Sequence, residues 1–464
     1  MLFNSIDYLY FFIIVYLLYW GFSKRPLIIQ NFLLLSASYV FYGWWDYRFL
    51  GLIFISTIVD FFLAKKIHKT IKPRTRKILL GFSIIVNIGL LAFFKYFNFF
   101  IDSWINLLYS IGYELKSVKT LSIILPVGIS FYTFQTLSYT IDVYYKRFKP
   151  TSNFLNFATF VSLFPQLVAG PIERAKNLLP QIEKRRLFSK ETLTKGLVLI
   201  LWGLFKKVVV ADSLAPLVDK IFDNPSMYNG GTLTLGLFYF TFQIYCDFSG
   251  YSDIAIGTAK CLGFKFISNF NYPYFAKSIG EFWRRWHISL SSWFRDYIFI
   301  PLGGSKVSSW KYIRNILSVF LLSGLWHGAN WTFFFWGLTH SMIYFMTRFI
   351  KNISLTFKYK NYFTAFFTFI AVMFSWVFFR SPSTSFAFRY LNDLVINFSF
   401  PQFPIKGLYY IGILLFFDFI FRSQSQHILK GIPTFKKQVI LIFLIAFVLV
   451  HLSDSPKNFI YFQF

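Results

Sequence analysis

IDYLYFFIIVYLLYWGF, residues 6–22, is apolar around the whole circumference of a helix apart from Asp7. A run of about 20 such residues crosses the hydrocarbon core of a bilayer. No basic residue precedes it and no small-residue cleavage site follows, so it reads as a retained span and not as a signal peptide. Runs of the same kind recur outward from it, near residues 27–45, 49–64, 78–100, 121–145, 192–211, 232–248, 312–350, 362–379, 405–421 and 438–453. The expectation is an all-α polytopic membrane protein with ten to twelve crossings.

Composition agrees. Of 464 residues, 56% are hydrophobic, 23% aromatic and only 14% charged, against about 25% charged in soluble domains. A net charge of +28 raises the question of nucleic acid, but the basic residues gather in short loops between apolar runs. KKIHKTIKPRTRK (65–77) holds seven Lys or Arg, and RAKNLLPQIEKRRLFSK (174–190) holds six. Positive-inside bias then places the N-terminus outside and loops 21–26 and 65–77 in the cytoplasm. Loop 212–231, with three Asp and one Lys, suits the outer side. The charge is that of a solvated rim facing anionic lipid, and no nucleic-acid partner is expected. Cys246 and Cys261 are too few for a disulfide framework and read as small buried hydrophobes.

No internal repeat, low-complexity tail or interdomain linker divides the chain, so residues 1–464 read as one integral-membrane domain. Two stretches depart from simple spans. LSIILPVGISFYTFQTLSYTIDVYYKRF (121–148) has an early Pro-x-Gly, with Ser130, Tyr132, Gln135, Tyr139 and Asp142 in apolar surroundings. FVSLFPQLVAGPIER (160–174) carries Pro165, Gly170 and Pro171. Irregular backbone at membrane depth is tolerated when it is packed in protein or lines a wet cavity. Both stretches are therefore expected to be broken or re-entrant helices around an internal cavity, with Ser130 and Gln135 among its lining residues.

EFWRRWHISLSSWFRDYIFIPLGGS (281–305) is unusual in this company. Trp283, Trp286, Leu290, Trp293 and Tyr297 recur at spacings of 3 and 4, which makes one aromatic stripe on a helix. Arg284, His287, Ser291 and Arg295 follow the same rhythm one position on, giving an adjacent polar stripe. The helix is expected to stop before Pro301, with PLGG as the turn. Such a helix lies at the membrane interface with its rings among headgroups, although a plain anchor needs only Lys and leaves Arg284 and His287 unexplained.

Six histidines occur. His68 and His427 fall in basic loops and are expected to be solvated. His327 sits in LLSGLWHGANWTFFFWG between Gly324 and Gly328, and an ionisable group inside a span is a functional candidate by default. A core histidine bonded to a neighbouring helix is the plain alternative, and the better one for His340. QIYCDFSGYSDIAIG (243–257) places Asp247, Tyr251 and Asp253 around Gly250, read as a helix break with Asp253 as a possible cap for the helix that follows. Serine-hydrolase, Walker A and zinc-protease signatures are missing, as is any Cys/His cluster at metal spacing, so no metal is expected. The residues alone leave two readings open. One is acyl movement from a thioester to a hydroxyl with an imidazole as base; the other is a transporter using His327 and Asp247 as a proton relay. The absence of paired broken segments in the two halves disfavours transport.

Six stretches resemble the membrane-bound O-acyltransferase family, in its alginate O-acetyltransferase branch. They are LPVGISFYTFQTLSYTIDVY, FPQLVAGPIER, FQIYCDFSGYSDIAIG, FWRRWHISLSSWFRDYIFIPLGG, LSGLWHGANWTFFFWG and the terminal FIYFQF, in family order from about residue 121 to 464. The resemblance implies helices around a central tunnel, with His327 at the family's catalytic histidine and His287 at its second one. It further implies a multi-pass protein of the bacterial inner membrane that takes acetyl from cytoplasmic acetyl-CoA and binds no permanent cofactor. The acetyl group would pass outward to a polysaccharide, alginate-like or peptidoglycan, by way of an extracytoplasmic acetyltransferase or esterase-like partner. On this reading Arg284, Arg285 or Arg295 hold the donor's phosphates, and His287 or Asn330 meets the oxyanion. Asp247, Tyr251 and Asp253 join Ser130 and Gln135 as binding or tunnel residues. D-alanyl transfer to teichoic acid is the neighbouring alternative within the family.

Overall fold

The computed structural model describes the chain except residues 114–120, 122, 169, 352–359, 423–428, 430–431, 454–456, 458 and 464. Among the described residues the regular structure is helical. The helices are α1 (Ile6–Gly21), α2 (Leu27–Asp46), α3 (Leu50–Lys69), α4 (Pro73–Leu91), α5 (Phe97–Ser110), α6 (Ile129–Tyr144), α7 (Phe154–Ser162), α8 (Phe164–Leu167), α9 (Ala175–Ile182) and α10 (Lys190–Leu204). They continue as α11 (Asp212–Asp223), α12 (Gly230–Cys261), α13 (Ile279–Arg285), α14 (Ile288–Phe294), α15 (Ser309–His327), α16 (Trp331–Lys351), α17 (Lys360–Arg380), α18 (Thr384–Ile396), α19 (Gly407–Phe421) and α20 (Thr434–His451). Two compact units result. One comprises Met1, Asp7–Ser189 and Leu262–Lys265; the other comprises Leu2–Ile6, Lys190–Cys261 and Phe266–Phe464.

Five described segments are long and apolar enough to cross a membrane: Ile6–Lys24, Leu27–Lys69, Pro73–Ser110, Lys360–Arg380 and Thr434–His451. The second and third run 43 and 38 residues, each enough for about two crossings. The remaining apolar runs, counted toward ten to twelve crossings, fold into helices outside these five, among them the shorter apolar helix Gly407–Phe421.

In the first unit, one set of buried polar side chains on α3, α4 and α6 satisfy one another, as an apolar surrounding demands. Asp60 of α3 accepts hydrogen bonds from Ser83 Oγ (2.5 Å) and Asn87 Nδ2 (2.9 Å) of α4. Asn87 Oδ1 accepts in turn from Ser56 Oγ at 2.7 Å and Thr136 Oγ1 at 3.1 Å. Arg186 donates to Tyr19 Oη and Asn31 Oδ1, both at 2.8 Å, and so ties α1 to α2. The 121–148 stretch is less broken than expected: a turn at Pro126–Gly128 leads into the unbroken, buried α6. Gly128 makes that turn at φ 75°, and a Cβ on it would sit 2.6 Å from the Leu167 carbonyl oxygen. The 160–174 stretch is interrupted as expected, α7 giving way to the one-turn α8 and then to non-helical backbone.

The second unit is organised around α12, a 32-residue helix buried along most of its length. Gly250, expected to break it, lies inside it. That glycine serves close packing: a Cβ on Gly250 would fall 2.8 Å from the Gly203 carbonyl oxygen, and one on Gly203 would fall 2.6 Å from that of Gly250. Gly196 and Gly257 repeat the arrangement seven residues away, each 2.7 Å from the other's carbonyl oxygen by the same measure. Paired small residues let two helix backbones approach closely, the device favoured where lipid supplies no hydrophobic drive between helices.

Candidate functional site: a buried histidine pair

Segment 281–305 is not the single helix its periodicity suggests. α13 ends at Arg285, and His287 adopts φ 44° and ψ 52° before α14 begins. A non-glycine residue in this left-handed region costs of order 1–3 kcal/mol and persists where its surroundings over-determine it. Here they do, because segment 269–271 pairs with the break. Asn271 N–H donates to the Arg285 carbonyl and Ile288 N–H to the Asn269 carbonyl, both at 2.9 Å. These partners lie upstream in sequence, so local periodicity carries no sign of them.

The break separates the expected polar stripe. Arg284 and Arg295 stay exposed while His287 turns fully inward. Trp286 and Trp293 are buried in protein as well, so these rings do not supply the headgroup anchor expected of them. Arg285 pairs with Glu281 at 2.7 Å, and Arg295 with Asp296 at 2.9 Å. The turn at 301–304 forms as expected, with Gly303 and Gly304 at positive φ.

His327 is the last residue of α15, and Gly324 and Gly337 bring α15 and α16 together. A Cβ on Gly324 would lie 2.2 Å from the Phe333 carbonyl oxygen, and one on Gly337 would lie 2.4 Å from that of Phe320. The glycines beside His327 thus serve close packing against α16, since a Cβ on Gly328 would meet the Phe333 ring at 2.0 Å. The consequence is that two histidines 40 residues apart in sequence come together, with ring centroids 6.2 Å apart and both residues buried. Trp326, Trp336, Phe379 and Tyr461 surround His327 at centroid distances of 5.0 to 5.5 Å, and Phe248 stands edge-on to His287 at 4.6 Å.

His287 Nδ1 lies 3.2 Å from Asn269 Oδ1, which also receives the Ser289 backbone N–H (3.2 Å) and hydroxyl (2.9 Å). A backbone N–H is always a donor, so the atom it meets is an acceptor, and His287 must donate to it through Nδ1–H. The neutral ring therefore keeps its lone pair on Nε2. Burial pushes the His287 imidazole down to about 3, which keeps it neutral. A neutral ring with this tautomer accepts at Nε2, so it does not suit the oxyanion-donor role considered for His287. Asn330 is occupied otherwise: its Oδ1 caps α16 through Thr332 N–H at 2.9 Å, and its Nδ2 donates to the Pro382 carbonyl at 3.1 Å.

Asp247 and Asp253 do not flank a helix break and Asp253 caps nothing. They face Lys207 and Lys206, each at 2.6 Å, on the stretch that follows α10. Lys207 also pairs with Asp212 at 2.8 Å, and Lys206 donates to Ser249 Oγ at 2.9 Å. Both lysines lie in a π-helical stretch, Phe205–Ala211, and are buried. Sequence reading passed over them, although two cations inside the apolar run 192–211 already demand buried anions. Asn269 and Tyr461 were missed as well, and nothing local to either distinguishes it. Tyr251 donates to Asn4 Oδ1 at 3.1 Å. Ser130 and Gln135 are buried on α6 in the first unit. His340 is a core histidine, its Nε2 3.0 Å from Ser375 Oγ of α17. His68 is exposed, as expected, and His427 lies outside the described residues.

Helical architecture and several segments long and apolar enough to cross a bilayer define a multi-pass membrane protein. The family described as MBOAT, membrane-bound O-acyltransferase, matches residues 145–381. A probable alginate O-acetylase of Azotobacter vinelandii is 40% identical over 412 residues, covering 88% of this chain and 80% of its own. A peptidoglycan O-acetyltransferase of Helicobacter pylori is 35% identical over 85% of this chain and 80% of its own. A teichoic acid D-alanyltransferase of Bacillus subtilis is 28% identical over 50% of this chain and 61% of its own. The chain belongs to the membrane-bound O-acyltransferase family and is an acyltransferase.

Proposed function

We propose that the protein is an O-acetyltransferase of the bacterial inner membrane that moves acetyl from cytoplasmic acetyl-CoA toward a hydroxyl of an extracytoplasmic polysaccharide. The observation that carries the reading is the convergence of His287 and His327, buried with ring centroids 6.2 Å apart. The names of the relatives support the acceptor class: alginate for one and peptidoglycan for the other. D-alanyl transfer has weaker support, because the matching relative aligns with only 50% of this chain.

In the proposed step His327 takes the proton of the attacking hydroxyl. The hydroxyl oxygen bonds to the acetyl carbonyl carbon, the carbon–sulfur bond breaks, and the proton leaves with the CoA thiolate. The hydroxyl's single proton goes to His327, and His287, 6.2 Å away centroid to centroid, stays neutral, so that no second cation opposes the imidazolium formed there. The exposed Arg284 is the available phosphate contact among the three arginines, since Arg285 and Arg295 are paired with carboxylates. A partner protein on the outer side completes delivery to the polysaccharide.

The test is base-labile acetate released from separated peptidoglycan and secreted-polysaccharide fractions, in cells carrying the native protein or His327→Ala at matched membrane levels. Loss of acetate from one fraction is expected, and it identifies the acceptor. Unchanged acetate in both fractions removes acetyl transfer as the activity and directs the assay to D-alanyl esters.

A further inference from the structure

We propose that Asp247 is a positioning residue that fixes the C-terminal segment against His327. Its carboxylate is divided between two partners. One oxygen lies 2.6 Å from Lys207 Nζ. The other accepts the backbone N–H of Ile460 at 2.7 Å. A hydrogen bond from a backbone amide to a buried carboxylate is charge-assisted and among the stronger contacts available to a chain end.

Neighbouring positions of α12 complete the hold. The Phe459 ring stacks on Tyr251 at 4.4 Å, and the Tyr461 ring lies 4.4 Å from Phe248. One stretch of α12, residues 247–251, therefore grips three consecutive tail residues, by a carboxylate in the middle and a ring on either side. Tyr461 then lies 5.5 Å from His327 and 5.9 Å from Phe379, centroid to centroid, as part of the wall around that imidazole. Phe248 also touches His287, so the same helix positions both the tail and the histidine pair. The second anion on Lys207, Asp212, does not meet the Ile460 amide; it touches the tail through its backbone carbonyl, which accepts from Lys457 Nζ at 3.1 Å and which Asp212→Asn leaves in place. Asp247 thus acts through Ile460 and Tyr461, and His327 is protected only while that chain of contacts holds. The catalytic consequence rests on His327 being the base; the contact chain itself does not.

Carbethoxylation of His327 by diethylpyrocarbonate, quantified by mass spectrometry on the purified full-length protein, reads the protection directly. His340, buried and bonded to Ser375, is the internal reference for global opening. Ile460→Pro removes the donated N–H and leaves the buried charges untouched; proline is tolerated at the first position of a helical turn. The expected result is a severalfold faster modification of His327 in Ile460→Pro and in Asp247→Ala. The rate should match that of Tyr461→Ala, with His340 still protected and Asp212→Asn at the native rate. Native-rate modification of His327 in Ile460→Pro overturns the proposal, as does parallel exposure of His340 in that variant. If Asp247→Ala does not fold, Ile460→Pro decides alone. Failure of the base assignment would show separately, as retained activity in His327→Ala.

Discussion

At His287 a single oxygen, Asn269 Oδ1, decides which ring nitrogen keeps its lone pair, and this makes the neutral state testable. Burial holds the native imidazole near 3, far below its ordinary value, so the native pH–rate profile should show no acid limb from this residue around pH 6.5. Asn269→Asp places a carboxylate on the same Nδ1–H and favours the imidazolium. The folded-state value then rises, and Nε2 loses its lone pair at a higher pH than in the native protein. Acyl-transfer kcat/KM in Asn269→Asp should therefore fall as pH drops through a range where the native enzyme is flat. The same linkage has a stability counterpart with a definite sign. Between about 6.5 and 3 the unfolded chain binds a proton at His287 that the native state does not, so stability declines as pH falls across that window. An Asn269→Asp profile indistinguishable from native would remove Asn269 as the residue that sets the tautomer.

At the scale of elements, α10 and the Phe205–Ala211 stretch that follows it meet α12 through two glycine pairs and through the ion pairs of the buried Lys206 and Lys207. Adding a methyl at Gly203 forces it against the Gly250 carbonyl at 2.6 Å, and overpacking of this kind costs about 1–3 kcal/mol. Gly51 of α3 has nothing within 4 Å of its missing Cβ. Thermal unfolding in detergent should accordingly show a clear drop for Gly203→Ala and no drop for Gly51→Ala; equal midpoints would refute close backbone approach as the reason for Gly203. These elements also mark the limit of what sequence makes legible. Gly250 read as a helix breaker because glycine breaks helices in water, whereas here it lies within α12 against Gly203. The 281–299 stretch read as one helix because its 3–4 spacing is real in both α13 and α14. The break between them depends on Asn269 and Asn271, partners that no local window contains. His287 and His327 were identifiable as candidates from their motifs; their 6.2 Å approach was not.

For the whole molecule, the apolar runs and the clustering of charge made the membrane class readable from composition, because lipid as solvent constrains every segment at once. The charge pattern also predicts orientation, and the structure supplies residues on which to test it. Ile71, in the basic loop between α3 and α4, is 93% exposed, and Met227, in the acidic 212–231 region, is 77% exposed. The native cysteines, Cys246 and Cys261, are both buried, so a membrane-impermeant maleimide should pass them by in the folded protein. Single Ile71→Cys and Met227→Cys variants then report sidedness on an otherwise native background. Positive-inside bias is set by Lys and Arg in short loops near span ends, and seven of them lie in 65–77. The expected pattern is labelling of Met227→Cys in intact spheroplasts and of Ile71→Cys only after permeabilisation. The reverse pattern would put the basic loop outside, where no acetyl-CoA pool exists to meet it. Delivery of acetyl from a cytoplasmic thioester would then have to be argued from the acidic face, and the direction of transfer proposed here would fall.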